Sequence, residues 1–383
     1  MNILFLSAWW PSRVYPSHGN FVEKHARLVA RNHQVTVVAV QEDPKLPPAV
    51  HDIHETVRDN FREIIVYFGM SATPGRLRKL KTRFLAYRRG IRLAVRLDGR
   101  PDLVHANVLL DAGVVAALYQ LENRVPFVIS EHATRFTRPA KLPFLRRILA
   151  RWACRRAAFI LPVSPQLAKS MQQSHHLRGC YRVVSNVVNT ELFRPTAGKA
   201  VGKPFRLLHV SSFREETKNI TGLLRAYRLL LERHPERYSL TLAGDGDLSE
   251  VRDKIASAGF KTSEVKLSGP HNEEEIADLL RCHDAFVLFS HEETQGVVLL
   301  EAMAAGLPCV ASAVGGVKAV IQDGVNGYLV RPSDEEGLVS ALQRLYTCYP
   351  HFSPSSIRED AVSRYGEQSV LHQLEAVYRA ATT

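Results

Sequence analysis

Two glutamates, Glu293 and Glu301, lie eight positions apart in the stretch Ser290–Gly306, SHEETQGVVLLEAMAAG. This stretch reads as a strand end, a polar turn with Gly296, and a helix that carries Glu301 a little over two turns on. A carboxylate in the turn could accept hydrogen bonds from sugar hydroxyls, and one further down could reach a ribose. The helix start leaves the N–H groups of Gly296 and Val297 unpaired, which suits an anionic diphosphate. Spacing alone fits a capped surface helix with two solvated glutamates equally well.

A second chemical group stands in LLHVSSFREETKN, where Arg214 and Lys218 follow a strand. A departing nucleoside diphosphate gathers negative charge, and fixed cations there stabilise the transition state more than the ground state. Arg can fork two phosphate oxygens, and Lys supplies a point charge. The bland alternative is a solvated basic loop. Near the N-terminus, Gly19 in PSHGNFVEKHARL leads into a helix, and glycine lets backbone approach a phosphate or a reacting sugar. His132 in VISEHATRF follows another strand, with Glu131 beside it as a lesser candidate. An imidazole there could hydrogen-bond a sugar hydroxyl or help an acceptor oxygen shed its proton.

The elements that must position these groups alternate between strand and helix. Ile3–Ser7 and Val35–Val40 read as strands around a helix at Phe21–Arg31. Further strands are expected at Ile64–Tyr67, Leu103–His105, Phe127–Ser130, Phe159–Val163 and Arg182–Val184, with helices at Gly113–Gln120 and Pro165–Gln172. The stretch TELFRPTAGKAVGKP is punctuated by proline and glycine and marks a linker over 191–204. A second series follows, with strands at Arg206–Val210, Ser239–Ala243, Val265–Leu267, Ala285–Phe289, Pro308–Ala311 and Tyr328–Val330. Helices are expected at Ile220–Arg233, Leu248–Ala258, Glu273–Arg281, Val297–Ala305 and, at the end, Glu367–Ala381. The reading is α/β: two Rossmann-like, doubly wound parallel-sheet domains, 1–190 and 205–362, with a terminal helix over 363–383 packing back on the first. Such sheets bind ligands beyond their strand ends, so the two domains are expected to face a cleft.

At 383 residues with 45% apolar content, the chain can bury two cores. Its five cysteines, Cys154, Cys180, Cys282, Cys309 and Cys348, show no pairing or CxxC spacing, which points to a reducing compartment. The N-terminus reads as a buried strand rather than a signal peptide, and no apolar run is long enough to span a bilayer. Charge is uneven. Residues 1–190 hold 29 Lys/Arg against 12 Asp/Glu, a net of +17, and the remainder is at −5. Much of the excess lies in Arg76–Arg96, where Leu77, Leu80, Phe84, Tyr87 and Ile91 recur at helical spacing. The rest lies in Arg135–Arg156, with Leu145, Ile148, Leu149 and Trp152 interleaved. Cationic helices of this kind suit an anionic membrane surface, or they pack on their domain with solvated arginines. No nucleic-acid recognition motif is present. His175-His176 lacks companion ligands at metal spacing.

The segment from Ser290 resembles the E-x7-E motif of the family 4 glycosyltransferases (glycosyl transferases group 1), retaining enzymes of the GT-B fold. The resemblance continues through LPCVASAVGGVKAVIQDGVNGYLVRPSD, LTLAGDGDL, VKLSGPHNEEEIADLLRCHDAFVLFS and VVSNVVNTELFRP, covering nearly the whole chain. It implies catalytic roles for His132, Arg214, Lys218 and Glu293. It implies a donor site of Gly19, Gly244, Pro270, His271, Thr294, Gln295, Gly296, Val297 and Glu301. Glu293 would address the sugar and Glu301 the ribose, while Asp245 and Asp247, nominally D-x-D, would form a turn near the base.

The activity so implied is transfer of a sugar from a nucleotide-sugar donor, with retention, to a glycan or lipid-linked acceptor in cell-envelope polysaccharide or glycolipid synthesis. No metal and no other cofactor is expected, because Arg214, Lys218 and a helix N-terminus handle the leaving-group charge. The expected location is the cytoplasm, with peripheral contact at the inner face of the plasma membrane. Two alternatives share the pattern. One is a non-hydrolysing sugar-nucleotide epimerase. The other is a catalytically silent glycan- or membrane-binding protein, at which Ala319 hints, since relatives usually carry Glu there.

Overall fold

A computed structural model describes residues 1–70, 75–137, 142–196, 198, 201–261 and 263–383. The chain divides into one unit of Met1–Val187 with Val370–Thr383 and a second of Val188–Ser369.

The first unit is built on a seven-stranded sheet. Its strands are β1 (Asn2–Ser7), β2 (Gln34–Glu42), β3 (His51–Arg58), β4 (Phe61–Phe68), β5 (Leu103–Asn107), β6 (Phe127–Glu131) and β7 (Phe159–Pro162), in the order β3-β4-β2-β1-β5-β6-β7. Helices α1 (Asn20–Val29), α2 (Arg76–Asp98), α3 (Val114–Asn123), α4 (Phe144–Arg156) and α5 (Pro165–Gln173) link them. Strands such as β1, NILFLS, and β5, LVHAN, are buried on both faces, as parallel strands between helical layers must be. Two cores result. One packs under α2, α3 and α4 around Phe68, Tyr87, Phe127 and Phe136. The other packs under α1 and the C-terminal segment around Phe5, Trp10, Val22, Leu374 and Tyr378.

This sheet departs from the expected one in two places. β3 pairs antiparallel with β4 and was not expected. Its sequence, HDIHETVR, is an edge strand with half-exposed or exposed residues throughout, so it lacks the apolar run that marks a buried strand. Arg182–Val184, expected as a strand, is not one. Arg182 and Val184 donate N–H bonds to Ile160 (3.0 Å) and Pro162 (3.2 Å), but only a single bridge, Ile160 to Tyr181, forms beside β7.

The second unit holds six parallel strands in the order β10-β9-β8-β11-β12-β13. They are β8 (Phe205–Ser211), β9 (Tyr238–Gly244), β10 (Val265–Ser268), β11 (Ala285–Leu288), β12 (Cys309–Ser312) and β13 (Gly327–Val330). Its helices are α6 (Glu215–Lys218), α7 (Ile220–Arg233), α8 (Leu248–Ser257), α9 (Glu273–Cys282), α10 (Val297–Ala304), α11 (Val317–Val320), α12 (Glu335–Thr347) and α13 (Pro354–Tyr365). Residues from Val188 already belong here. Val188 and Phe193 are fully buried in its core, so the division falls before the linker expected over 191–204. Arg358 holds that entering segment by donating to the carbonyls of Thr190 (2.7 Å), Phe193 (2.7 Å) and Ala304 (2.9 Å). The last helix, α14 (Glu367–Thr382), starts in the second unit and from Val370 packs in the first, where Val370, Leu374, Val377 and Tyr378 are buried.

Candidate functional site

Strand order reverses between β8 and β11 in the second unit and between β1 and β5 in the first. Loops leaving such a reversal diverge and open a crevice at the strand ends. In the second unit this is where Lys218 and Glu293 meet. Lys218 Nζ donates to Glu293 Oε1 at 2.5 Å, and Ser290 Oγ donates to the same oxygen at 2.9 Å. The two loops are also joined through backbone, since the Thr217 carbonyl accepts from the N–H groups of His291 (2.8 Å) and Glu292 (3.3 Å). Lys218 is held in turn by its own N–H, which reaches the Arg214 carbonyl at 2.7 Å. Asn219, in the left-handed region, then caps α7 through Gly222. Glu293 is 7% exposed, so its charge is compensated by Lys218 and not by bulk water.

Two residues without an assigned sequence role complete this arrangement. Ser290 is the second donor to Glu293. Gly315, at φ 44, brings its backbone against the Glu293 carbonyl, and a Cβ there would lie 1.7 Å from that oxygen. Its signal was the paired-glycine turn AVGGV, whose purpose appears only in three dimensions. Beneath the site, His209 donates from Nδ1 to the Val287 carbonyl (2.9 Å) and accepts the Ser211 hydroxyl at Nε2 (2.8 Å). Burial, with the Lys218 charge adding to it, pushes His209 down to about 4, so this support is neutral.

Gly296, at φ 79, caps α10 without a side-chain partner and leaves the first N–H groups of that helix to be satisfied from outside it. Thr294 and Val297 are half-buried, Gln295 is buried, and Glu301 is buried along α10 at 5% exposure. Arg214 lies one turn before Lys218, its carbonyl accepting the Lys218 N–H at 2.7 Å. It lines a cleft of about 320 Å³ at the ends of β8 and β9, with Phe213, Asp245, Gly246 and Asp247. Asp247 caps α8, accepting from the N–H groups of Ser249 (3.0 Å) and Glu250 (3.2 Å). Gly244 approaches Ser211 so closely that a Cβ would fall 1.7 Å from its carbonyl oxygen. One strand further out, His271 is fixed by Ser268 (2.7 Å) and Glu275 (3.3 Å), next to the exposed Pro270.

The first unit brings together a different chemistry. His132 follows β6 and is 5% exposed, its ring 4.8 Å from Phe21 and 6.0 Å from His25. Burial first, then His25 and His105, hold it well below the ordinary histidine value. His25 is pushed down to about 4 and His105 to about 3, again chiefly by burial. His105 bridges Tyr378 (2.6 Å) and Ser130 (2.8 Å), and His25 reaches the Ser185 carbonyl at 3.1 Å. At the strand reversal itself stands Asn107, fully buried, with neither amide atom hydrogen-bonded among the described residues. Gly19 serves a backbone contact, since a Cβ there would lie 2.2 Å from the Trp9 carbonyl oxygen.

The cationic helices of this unit split between core and surface. On α2, Tyr87 and Ile91 are buried and Leu80 is exposed, while the side chains of Arg76 and Leu77 lie outside the described residues. With α3, α2 forms a groove of about 290 Å³ lined by Phe84, Ile91, Val95, Leu118, Arg88 and Arg92. On α4, Phe144 (70% exposed), Leu145 and Ile148 project from a helix bearing Arg146, Arg147, Arg151, Arg155 and Arg156. Residues 138–141 of that cluster lie outside the described residues.

Residues 21–192 match the family described as Glycosyltransferase Family 4, and residues 204–348 match Glycosyl transferases group 1. The chain belongs to the family 4 glycosyltransferases. N-acetyl-alpha-D-glucosaminyl L-malate synthase of Bacillus anthracis is 25% identical to this glycosyltransferase over 72% of the chain and 74% of the relative. Among solved structures, sucrose-phosphate synthase from Thermosynechococcus elongatus superposes with a TM-score of 0.79 at 21% identity, covering 99% of this chain and 98% of that one. HepE of Anabaena, in complex with UDP-glucose, gives 0.73 at 20% identity, covering 99% and 100%. These likenesses establish the GT-B fold. Within the described residues, no helix of this glycosyltransferase is long and apolar enough to cross a membrane.

Proposed function

We propose that the second unit binds a nucleotide-sugar donor and the first an acceptor, and that transfer retains the anomeric configuration without a metal. The observation that carries this reading is the Lys218–Glu293–Ser290 constellation at the β8/β11 reversal. A cation and a buried carboxylate, locked by hydrogen bonds beside the free N–H groups of α10, can address diphosphate and sugar at once. Lys218 and Arg214 take the growing charge of the leaving diphosphate, Glu293 orients the sugar, and Glu301 holds the ribose. The acceptor hydroxyl attacks from the face the diphosphate leaves. The C–O bond to phosphate breaks as the new glycosidic bond forms, and a phosphate oxygen takes the acceptor proton. His132 is neutral near pH 7 and hydrogen-bonds a sugar hydroxyl beside the reacting carbon. HepE, solved with UDP-glucose, supports UDP-glucose as the first donor to test.

The test is a thermal-shift panel of UDP-, GDP- and ADP-sugars, since a ligand that binds only the native state raises Tm. NMR of the product with the best donor then reads its anomeric configuration. An inverted product, or activity lost to chelator and restored by Mn²⁺, contradicts the reading.

The acceptor class follows from the surface. Exposed Phe144, Leu145 and Ile148 among arginines suit an anionic membrane, which favours a lipid-linked or anionic glycan acceptor at the inner face of the plasma membrane in cell-envelope synthesis. Co-sedimentation with phosphatidylglycerol vesicles checks it, and the absence of salt-sensitive binding overturns it.

A further inference from the structure

We infer that Glu131 is a positioning residue for the transfer reaction: its buried carboxylate ties the diverging ends of β5 and β6 together and so sets His132 in place. This rests on the role proposed above for His132. Every acceptor position the carboxylate uses goes to backbone. Oε1 accepts from the N–H groups of His132 (2.9 Å) and Ala133 (2.8 Å), and Oε2 accepts from that of Leu109 (2.9 Å). The Glu131 carbonyl also accepts from Val163 N–H at 3.3 Å, which fastens the residue to the end of β7.

The β5–β6 ladder ends at the pair Asn107 and Ser130, so the carboxylate takes over where strand pairing stops. It has to, because the next residue on β5 is not extended. Val108 adopts φ 73, a left-handed conformation that a β-branched residue enters only under constraint, and the chain then runs through a π-turn over Val108–Gly113. A ladder bond cannot follow that turn, whereas a side chain reaching across from β6 can. Burying a carboxylate is costly without strong partners, and three N–H donors on one fully buried side chain indicate a geometry that needs holding.

The clamp is also responsive to pH. Burial pushes Glu131 up to about 7, against the pull of its three N–H donors and of Arg135. The other groups facing it stay fixed near neutrality, because burial pushes the Cys154 thiol of α4 and the Tyr181 phenol well up, and His132 is neutral. A proton on Glu131 occupies an oxygen that otherwise accepts an N–H. With the carboxyl still buried, the two loops therefore loosen locally as pH falls below about 7, without any loss of global stability from this group.

The test compares wild type, Glu131→Gln and His132→Ala by amide hydrogen exchange and by UDP-glucose turnover from pH 5.5 to 8.5. Glu131→Gln is expected to raise exchange at Leu109, His132 and Ala133 together, by tenfold or more, with the second unit unchanged. It is expected to lower kcat 10- to 100-fold with KM for the donor held, and to remove the acid limb near pH 7. If Glu131→Gln does not fold, the wild type decides alone: intrinsic-rate-corrected protection of Leu109 must fall between pH 8 and 6. Unchanged exchange at those amides overturns the clamp. An unchanged kcat and pH profile in Glu131→Gln, while His132→Ala is impaired, overturns its positioning role. If His132→Ala turns over normally, the role proposed for His132 fails, and with it the positioning role, while the exchange data still decide the clamp.

Discussion

The two strand reversals of this glycosyltransferase carry opposite kinds of polarity. At β8/β11 the groups are charged and mutually satisfied: Lys218 on Glu293, Ser290 on the same oxygen, Thr217 joining the loops. At β1/β5 and the neighbouring end of β6, apart from the Glu131 carboxylate held by backbone N–H groups, they are neutral and partly unsatisfied. Asn107 has no amide partner among the described residues, and His132, His25 and His105 are all held in their uncharged forms. Yet the first half of the chain carries the net charge of +17. Many of its arginines lie on α2 and α4, away from the histidines at the strand ends. Net charge by segment therefore reports a surface, while the character of a site depends on which residues the strand ends carry. A charged pocket suits a diphosphate, and a neutral, hydrogen-bonding one suits hydroxyls.

Breaking the charged reversal should have the largest effect. Lys218→Ala removes the cation proposed to face the leaving group and is expected to lower turnover by about 10²–10³-fold, the usual cost of deleting one transition-state donor. Circular dichroism should show the fold intact, with a lowered Tm because the buried Glu293 carboxylate loses its cation. Gly315→Ala tests the same site through its backbone. Its Cβ cannot coexist with the Glu293 carbonyl, so it should cost about 1–3 kcal/mol in urea unfolding and raise the donor KM.

The neutral reversal is sharpened by pH. A histidine held neutral in the folded state but titrating normally when unfolded makes stability fall as pH drops from about 6.5 toward its folded value. His25 and His105, at about 4 and about 3, each contribute a loss on the order of 3–5 kcal/mol by their shifts, and His132 adds to it. Glu131 acts in the opposite sense, gaining its proton in the folded state between about 7 and 4.5 and offsetting part of the loss. The second unit has His209 in this position. In hydrogen exchange, amides of the sheet interior, which exchange only through global opening, should therefore lose more protection in the first unit than in the second between pH 7 and pH 5. Glu131→Gln should steepen that global loss even as it removes the local pH response at Leu109, His132 and Ala133.

The smallest effect belongs to the surface charge. Ile148→Ser with Arg146→Gln should leave stability within about 0.5 kcal/mol. It should weaken binding to anionic vesicles severalfold, since each basic residue near such a surface contributes about 1 kcal/mol.

The residues of the charged reversal were legible as groups following strands bounded by clear turn residues, while their joint role came from the family resemblance, since spacing alone suits solvated surface positions. The alternation of β-strands and helices read through, as apolar runs such as FRLLHVS and AFVLF admit few other readings. What stayed hidden has physical causes. β3 is polar on an exposed edge, and Arg182–Val184 looks like a strand but meets only fragments of a ladder. The π-turn over Val108–Gly113 is written in VLLDAG, residues that also suit a regular helix. Gly315 meets backbone that arrives from elsewhere in the fold, as Glu131 does at Leu109, and no spacing rule points to such partners.

In the function proposed above, the β8/β11 reversal holds the donor diphosphate. Calorimetric titration of the best-binding nucleotide from the UDP, GDP and ADP panel into wild type and Lys218→Ala tests it most directly. Saturable binding is expected for wild type, with a loss of at least tenfold in affinity for the variant. Equal affinities in a folded Lys218→Ala protein would contradict it.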